Sequence, residues 1–302
     1  MTVTTPSLAD VFILLNPNAG NRSVSWIIEQ IKKDFPQLAY SVSESEEDAK
    51  VILGSKIEEY KIFIIVGGDG TINQALPFFV GKLDKIMCVL PVGSGNGFAR
   101  EMGFINDLQD LVGDILKGAF LKLDVGCLND RFFVNVAGIG FDGYVADAFK
   151  HQKRRGLYKY IWLTIKSILK FRPFKATIQY GDQTFYGVYT TITMANSRQF
   201  GNNALIAPLA KLDDGKIDLV LIRPFPIYYY LLFFYKMFAG SLRSTKFIHY
   251  SQTNDVVHIQ AEYAYAHIDG EPFVSDGNLI MKVLPQAISV LKTKHYSKYA
   301  DH

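Results

Sequence analysis

Asp69 stands alone among glycines. It lies in the stretch Lys61–Ala75, KIFIIVGGDGTINQA, flanked by Gly67, Gly68 and Gly70 and followed by Thr71. Glycines let a backbone approach an anion, and free N–H groups at a helix start favour negative charge, so this order suits a phosphate. An acid in such a cradle repels the ligand unless it binds Mg²⁺ or takes a proton from a nucleophile. A plain strand-to-helix turn capped by Asp69 uses the same residues, and from this stretch alone both readings stay open. A second glycine loop, Pro91-Val92-Gly93-Ser94-Gly95-Asn96-Gly97, adds N–H groups and the Ser94 and Asn96 side chains.

Further acids sit in turns. Lys211-Leu212-Asp213-Asp214-Gly215 reads as a hairpin turn, or as carboxylates beside carbonyls that would hold a hard cation. Asp269-Gly270-Glu271 is another acidic turn after a strand. Gly138-Ile139-Gly140-Phe141-Asp142-Gly143 fits the GxGxxG dinucleotide fingerprint, but no Asp or Glu follows between Ala148 and Gly181 to hold a ribose. That acid-free stretch is basic instead. Most of its charges read as the solvated face of an amphipathic helix, whereas Arg154 and Arg155, nearest the glycine turn, suit phosphate contact. The six histidines show no metal-ligand spacing.

Strands and helices must position these groups. Val11–Leu15, Ile62–Val66 and Lys85–Leu90 are continuous apolar runs, the pattern of strands buried on both faces of a parallel sheet. Helices are expected at about 24–35, from Thr71 as cap, at 45–56 and from near Phe98. The alternation to about Gly118 indicates a parallel sheet with helices on both faces and ligands at the carboxyl ends of the strands. The loops at Asn16, Gly67 and Gly93 all follow such strands. After Lys122 strands dominate: Leu123–Cys127, Arg131–Val136, Lys175–Tyr180, Phe185–Met194, Lys216–Ile222, Val256–Gln260, Ala264–Ile268, Leu279–Leu284 and Ile288–Lys292. Helical interruptions are expected at about Tyr144–Phe171 and Ile227–Ala239. The expected division is an α/β domain over 1–122 and an antiparallel β domain over 123–302, with the extreme C-terminus free to return to the first. Pro224–Phe238 is aromatic on nearly all sides, which fits either a buried helix or one facing lipid.

A length of 302 residues with 49% hydrophobic content supports two domains with a large core. A net charge of +3 is too mild to argue for nucleic acid. Cys88 and Cys127 lie in apolar runs, which suggests a reducing compartment without disulfides. The longest apolar run, Pro224–Tyr235, falls short of the roughly 17 to 25 residues of a spanning helix. The reading is a cytoplasmic or peripheral protein with no transmembrane segment.

GGDGT at Gly67–Thr71, PVGSGNGFAR at Pro91–Arg100, LDVG at Leu123–Gly126, KLDDG at Lys211–Gly215 and DGE at Asp269–Glu271 occur in this order. In that order they resemble the diacylglycerol-kinase catalytic family, which includes bacterial lipid kinases, sphingosine kinases and ceramide kinase. The resemblance runs from about Asn16 to Leu291. It implies an N-terminal three-layer α/β nucleotide-binding domain, a C-terminal antiparallel β-sandwich and an active site in the cleft between them. It further implies an ATP- and Mg²⁺-dependent lipid kinase acting at the membrane surface on a lipid alcohol such as diacylglycerol or a sphingoid base. By the same resemblance Asp69 and Glu271 are catalytic. Asn16, Ser43, Gly67, Gly68, Gly70, Thr71, Ser94, Gly95 and Asn96 contact the nucleotide, with Arg154 and Arg155 beside them. Asp213 and the backbone carbonyls of Lys211 and Lys216 hold the metal, Asp124 supports that acidic network, and Asp142 lies near a lipid headgroup acid. Gly97 departs from the Asp that bacterial diacylglycerol kinases tend to carry there, which leaves the acceptor lipid open. A soluble NAD kinase-like enzyme and a non-catalytic lipid-binding module are the alternatives, and the sequence leaves a homodimer open.

Overall fold

A computed structural model describes residues 6–19, 24–150, 157–262 and 265–296 of the chain. The chain divides into two compact units, Met1–Leu123 with Gln286–His302, and Asp124–Pro285.

The first, the α/β unit, runs β1 (Val11–Leu15), α1 (Ser25–Asp34), β2 (Ala39–Val42), α2 (Glu46–Lys56), β3 (Ile62–Gly67), α3 (Asp69–Ala75), β4 (Ile86–Pro91), α4 (Gly97–Glu101) and α5 (Leu108–Lys117). Its strands lie in the order β2-β1-β3-β4, all parallel, and every residue of β1 and β3 is buried. Both faces are therefore covered, as their unbroken apolar runs require. Crossovers leave β1 toward β2 and β3 toward β4, so the sheet reverses direction between β1 and β3. Loops that leave the sheet at such a reversal open a crevice at the strand ends. The Ser45 hydroxyl accepts from the Asp48 N–H and caps α2, whose first turn carries Glu46, Glu47 and Asp48. α3 starts earlier than expected. Gly68 is its N-cap, and Thr71, read as a cap, is its third residue.

The second, the β unit, contains β5 (Phe120–Leu128), β6 (Arg131–Phe133), β7 (Val136–Gly140), α6 (Phe141–Lys150), α7 (Leu157–Ile168), β8 (Phe174–Tyr180), β9 (Gln183–Tyr189), β10 (Thr191–Ala195), β11 (Ile217–Ile222), α8 (Tyr229–Phe238), β12 (Ile248–Thr253), β13 (Val257–Ala261), β14 (Tyr265–Ile268), β15 (Glu271–Val274) and β16 (Asn278–Leu291). β5 begins in the α/β unit, and β16 runs back into it at Gln286. One sheet has the order β12-β11-β10-β7-β14-β15 and is antiparallel throughout. β16-β13-β8-β9 and the β5–β6 hairpin form the other layer. Ile139, Ile192, Leu219 and Ile268 of the first layer share a core with Phe133, Ile178, Ile259 and Met281 of the second. Asn129 and Asp130, both at positive φ, turn the β5–β6 hairpin between the expected strands Leu123–Cys127 and Arg131–Val136.

Four expected strands are redrawn. Arg131–Val136 is broken, because β6 ends at Phe133 and β7 joins the opposite sheet. Phe185–Met194 is likewise split at Thr190 between β9 and β10 of different sheets. Leu279–Leu284 and Ile288–Lys292 are one strand, β16, with Gln286 at φ 49° inside it. Its first part pairs antiparallel with β13, and Ser289 and Val290 pair parallel with Ile86 and Met87 of β4. Cys88 and Cys127 are buried free thiols, and burial pushes both up from the usual thiol value.

Asp218 is buried on β11, where burial pushes its carboxyl up from the usual 3.8 to about 6; Gln252 donates to it at 3.1 Å and opposes the shift. A folded value above the unfolded one stabilises the fold below about pH 4, and this contribution is lost as pH rises through about 6. Asp218→Asn is therefore expected to raise stability at pH 7, by up to about 3 kcal/mol at 1.36 kcal/mol per pH unit. Thermal melts from pH 4 to 7 check this: the gap between variant and wild type should widen as pH rises.

Candidate active site

Two glycine loops of the α/β unit meet backbone to backbone. A Cβ on Gly93 would lie 2.8 Å from the Gly68 Cα, and one on Gly68 would lie 3.3 Å from the Gly93 Cα. A Cβ on Gly67 would collide with Thr71. The contact, rather than unusual φ angles, excludes side chains at these three positions. Asn96 takes the left-handed conformation at φ 51° as N-cap of α4, and its Nδ2 donates to the Gly93 carbonyl at 2.7 Å. Arg100 Nε donates to the Gly95 carbonyl at 3.1 Å.

The Asp69 carboxylate closes this junction. Its Oδ2 accepts from the Gly97 N–H at 3.0 Å and its Oδ1 from the Phe98 N–H at 3.2 Å. Asp69 begins α3 but caps α4, so the acid of the first loop satisfies the helix start of the second. A Cβ on Gly95 would come within 3.1 Å of Asp69 Oδ2.

The loop after β1 joins the same cluster. Asn16 Nδ2 donates to Thr71 Oγ1 at 2.9 Å, and the Asn16 N–H donates to the Val66 carbonyl at 3.1 Å. Ser43 is buried, and its hydroxyl donates to the Leu15 carbonyl at 3.2 Å, so it ties β2 to β1. Ser94 is exposed and Gly70 lies in the first turn of α3. Arg154 and Arg155 lie outside the described residues. Backbone already closes the junction at Gly68 and Gly93, and the buried Asn96 Oδ1 beside it has no hydrogen-bond partner among the described residues, so it has an acceptor to offer a hydroxyl or a cation.

Three acid clusters lie in the β unit. Asp124 is fully buried. Its Oδ2 accepts from the Gly215 N–H at 2.6 Å and its own N–H donates to the Leu212 carbonyl at 2.7 Å, so it anchors the KLDDG loop. Lys211, Asp213 and Lys216 of that loop are exposed, and Asp214 Oδ1 accepts from the Lys216 N–H. Among the described residues no group of three or more His, Cys, Asp or Glu is placed for a metal. A cation at this loop would therefore rest on Asp213 with carbonyls and water, an oxygen set that suits Mg²⁺.

Asp269 explains the break between β6 and β7. Its Oδ1 accepts from the N–H groups of Asn135 at 2.9 Å and Val136 at 3.1 Å, and its Oδ2 accepts from Val134 at 3.1 Å. It sits at φ 48° beside Gly270 at φ 85°, the two central residues of the β14–β15 turn, and Glu271 follows, exposed. The D and the E of DGE thus face different surroundings.

Asp142, on the first turn of α6, is nine-tenths buried. Thr191 and Thr193, two apart on β10, donate to Oδ1 and Oδ2 at 3.3 Å, and the Gly143 N–H donates to Oδ1 at 2.9 Å. His267 Nε2 lies 3.2 Å from Oδ2, close enough for an ion pair but not aligned as a hydrogen bond. His267 Nδ1 accepts from the Gly270 N–H at 3.4 Å, so this histidine bridges Asp142 and the DGE turn. A Cβ on Gly138 would collide with the Asp142 carboxylate, which gives the first glycine of GIGFDG a packing role. Sequence reading missed His267. Its place two residues before Asp269, on a strand, was the available signal.

Two outcomes follow from these contacts. Gly93→Ala forces the loops apart by several tenths of an ångström and is expected to cost about 1–3 kcal/mol in a denaturant melt. Asp269→Asn keeps the left-handed turn but puts an N–H₂ toward backbone donors. A loss of about 1–3 kcal/mol is expected, read from the same melt.

The pattern of the diacylglycerol kinase catalytic domain matches residues 10–128, and that of the YegS C-terminal NAD kinase β-sandwich-like domain matches residues 135–292. The chain is 24% identical over 269 residues to a diacylglycerol kinase of Bacillus subtilis, covering 86% of this chain and 88% of the relative. It is 26% identical over 294 residues to a Shewanella frigidimarina protein named "Probable lipid kinase YegS-like", covering 93% of each. Its fold matches the crystal structure of a diacylglycerol kinase from Bacillus anthracis, with a TM-score of 0.74, 18% identity, and coverage of 95% of this chain and 97% of the other. It also matches an NAD kinase from Archaeoglobus fulgidus in complex with ATP, with a TM-score of 0.56, 12% identity and coverage of 96% of each chain. With one pattern on each half, in the order the glycine loops and DGE turn require, the chain belongs to the diacylglycerol kinase catalytic-domain family, with a YegS-type β-sandwich at its C-terminal side.

Proposed function

We propose that the protein is an ATP- and Mg²⁺-dependent lipid kinase that phosphorylates the hydroxyl of a lipid alcohol such as diacylglycerol or a sphingoid base. The observation that carries this reading is the junction of the two glycine loops closed by Asp69. Phosphoryl transfer asks a protein mainly for positioning and charge stabilisation, and a rigid backbone junction supplies the first. In this reading Met1–Leu123 with Gln286–His302 binds the nucleotide and Asp124–Pro285 receives the lipid.

Gly67, Gly68, Gly70, Thr71, Ser94, Gly95 and Asn96 cradle the phosphates, and Asn16 and Ser43 shape the nucleotide side of the crevice. Arg154 and Arg155 are assigned to phosphate contact from the sequence. Asp69 accepts the proton of the lipid hydroxyl as its oxygen bonds to the γ-phosphorus and the bond to the β-bridging oxygen breaks. Glu271, exposed at the start of β15, is assigned to the triphosphate and its metal. Asp213, with carbonyls of Lys211 and Lys216, is assigned to Mg²⁺, and Asp124 holds their loop in shape. When bound, Mg²⁺ offsets phosphate charge. Asp142 is assigned to the lipid headgroup, its orientation fixed by Thr191, Thr193 and His267. No helix among the described residues is long and apolar enough to cross a membrane, so the enzyme would meet its substrate from the membrane surface.

Labelled ATP, offered with an extracted lipid pool and separately with NAD, tests the reading, with products identified by mass spectrometry. A phosphorylated lipid is expected. Transfer to NAD would replace the reading with a soluble NAD kinase, and lipid binding without ATP consumption with a non-catalytic module. Asp69→Asn is expected to lower turnover by about 10²–10⁴-fold, the usual worth of a positioned base. Nucleotide affinity should change little, because the Asn oxygen still accepts one helix N–H. Near-normal turnover in Asp69→Asn with loss in Glu271→Gln would move the base to Glu271.

A further inference from the structure

α8 has two apolar faces, and among the described residues only one has a partner. Phe233 and Met237 are 9% and 7% exposed and pack with Val220, Ile222, Leu242 and Ile248. Tyr228, Leu231 and Tyr235 on the opposite side are 77%, 81% and 71% exposed, and Leu232 and Phe238 are exposed beside them. These positions follow the i, i+3, i+4, i+7 spacing of a single helix face. A helix exposed to water normally carries charge there; this one carries a single charge, Lys236, at the edge of the stripe.

The segment that carries this face is cationic. From Leu219 to Asn254 the chain has no Asp or Glu, but it has Arg223, Lys236, Arg243 and Lys246. Arg243 Nη1 donates to the Leu242 carbonyl at 2.6 Å and reaches the Gly240 carbonyl at 3.5 Å, at the C-terminal end of α8. Lys246 Nζ sits 5.0 Å from the Phe247 ring centroid, and that ring packs 5.2 Å from Tyr229 at the N-terminal end. Basic groups therefore stand at both ends of an apolar stripe.

We propose that α8 is an interfacial helix that docks the β unit on an anionic membrane surface. Its exposed Leu and Phe enter the headgroup–acyl boundary, Tyr228 and Tyr235 place hydroxyls among the headgroups, and Lys236, Arg243 and Lys246 meet lipid phosphates. At ten residues α8 is about 15 Å long, which suits lying in the plane of the interface. A second copy of this chain is a poorer occupant. A twofold contact would set the same acid-free basic segment against itself. The proposal rests on the lipid-kinase reading only for its purpose; the docking itself needs no turnover.

Co-sedimentation without ATP tests it, using phosphatidylcholine vesicles and vesicles with one quarter phosphatidylglycerol. Wild type should bind the anionic vesicles roughly tenfold or more tightly, and high salt should reduce that preference. Leu231→Glu/Tyr235→Glu should lower binding to both vesicles at least about tenfold, and Arg243→Glu/Lys246→Glu should remove mainly the anionic preference. Both pairs are exposed, and circular dichroism melts matching wild type would show that the variants fold. Absence of vesicle binding, or binding by the Leu231→Glu/Tyr235→Glu variant equal to wild type, would overturn the proposal. So would a wild-type dimer in light scattering that this variant turns into monomer. Vesicle binding with no phosphorylated lipid would leave the docking standing and refute the kinase reading alone.

Discussion

The Asp69 carboxylate ties two segments that the chain places far apart. By accepting the first two N–H groups of α4, it fixes where the second glycine loop ends relative to the first. The rest of the cluster follows from that bond. The loops come too close for side chains at Gly68 and Gly93, Gly95 passes beside the carboxylate, and Asn96 must turn left-handed to start α4. The reversal of strand order between β1 and β3 adds Asn16, whose amide holds Thr71. Asp69 does cap a helix, but not the one its own turn begins: α3 starts with Gly68 as N-cap and no side-chain cap, and the carboxylate serves α4 instead.

The β unit repeats the device. Asp269 gathers three consecutive backbone N–H groups at a point where the chain leaves one sheet for the other. Asp124 does the same for the KLDDG loop with one N–H and one carbonyl. In each case a buried carboxylate is satisfied by backbone donors, as burial of charge demands. The acids that remain exposed, Asp213 and Glu271, stand next in sequence to elements held this way. The buried carboxylate keeps the loop in shape and leaves its exposed neighbour open to solvent.

The parallel strands β1, β3 and β4 were legible because an unbroken apolar run has few other fates than burial on both faces. The β5–β6 pair was legible as two strand runs, Leu123–Cys127 and Arg131–Val136, with a short gap between them. Strands that change sheets were not. Val134-Asn135 and Thr190 look like strand interior, and their breaks are set by partners remote in sequence, Asp269 and the β11 end at Ile222. The union of two expected strands into β16 was hidden because Pro285 and Gln286 part the two apolar runs, and Gln286 takes φ 49° inside the strand. His267 was invisible for the same kind of reason, since its meaning comes from Asp142 and Gly270 across the fold. Pro224–Phe238 allowed core or lipid; the helix has one face of each sort of exposure.

β16 carries a consequence for biogenesis. The α/β unit takes its fifth strand from Ser289 and Val290, which follow the β unit in sequence. On the ribosome, β4 emerges before the β unit and hence before Ser289 and Val290 can pair with it, so an apolar parallel edge stays bare while that unit is made. Such an edge is a template for unwanted pairing. This half of the molecule completes its sheet only once the β unit has been made, so an early strand waits for a late one.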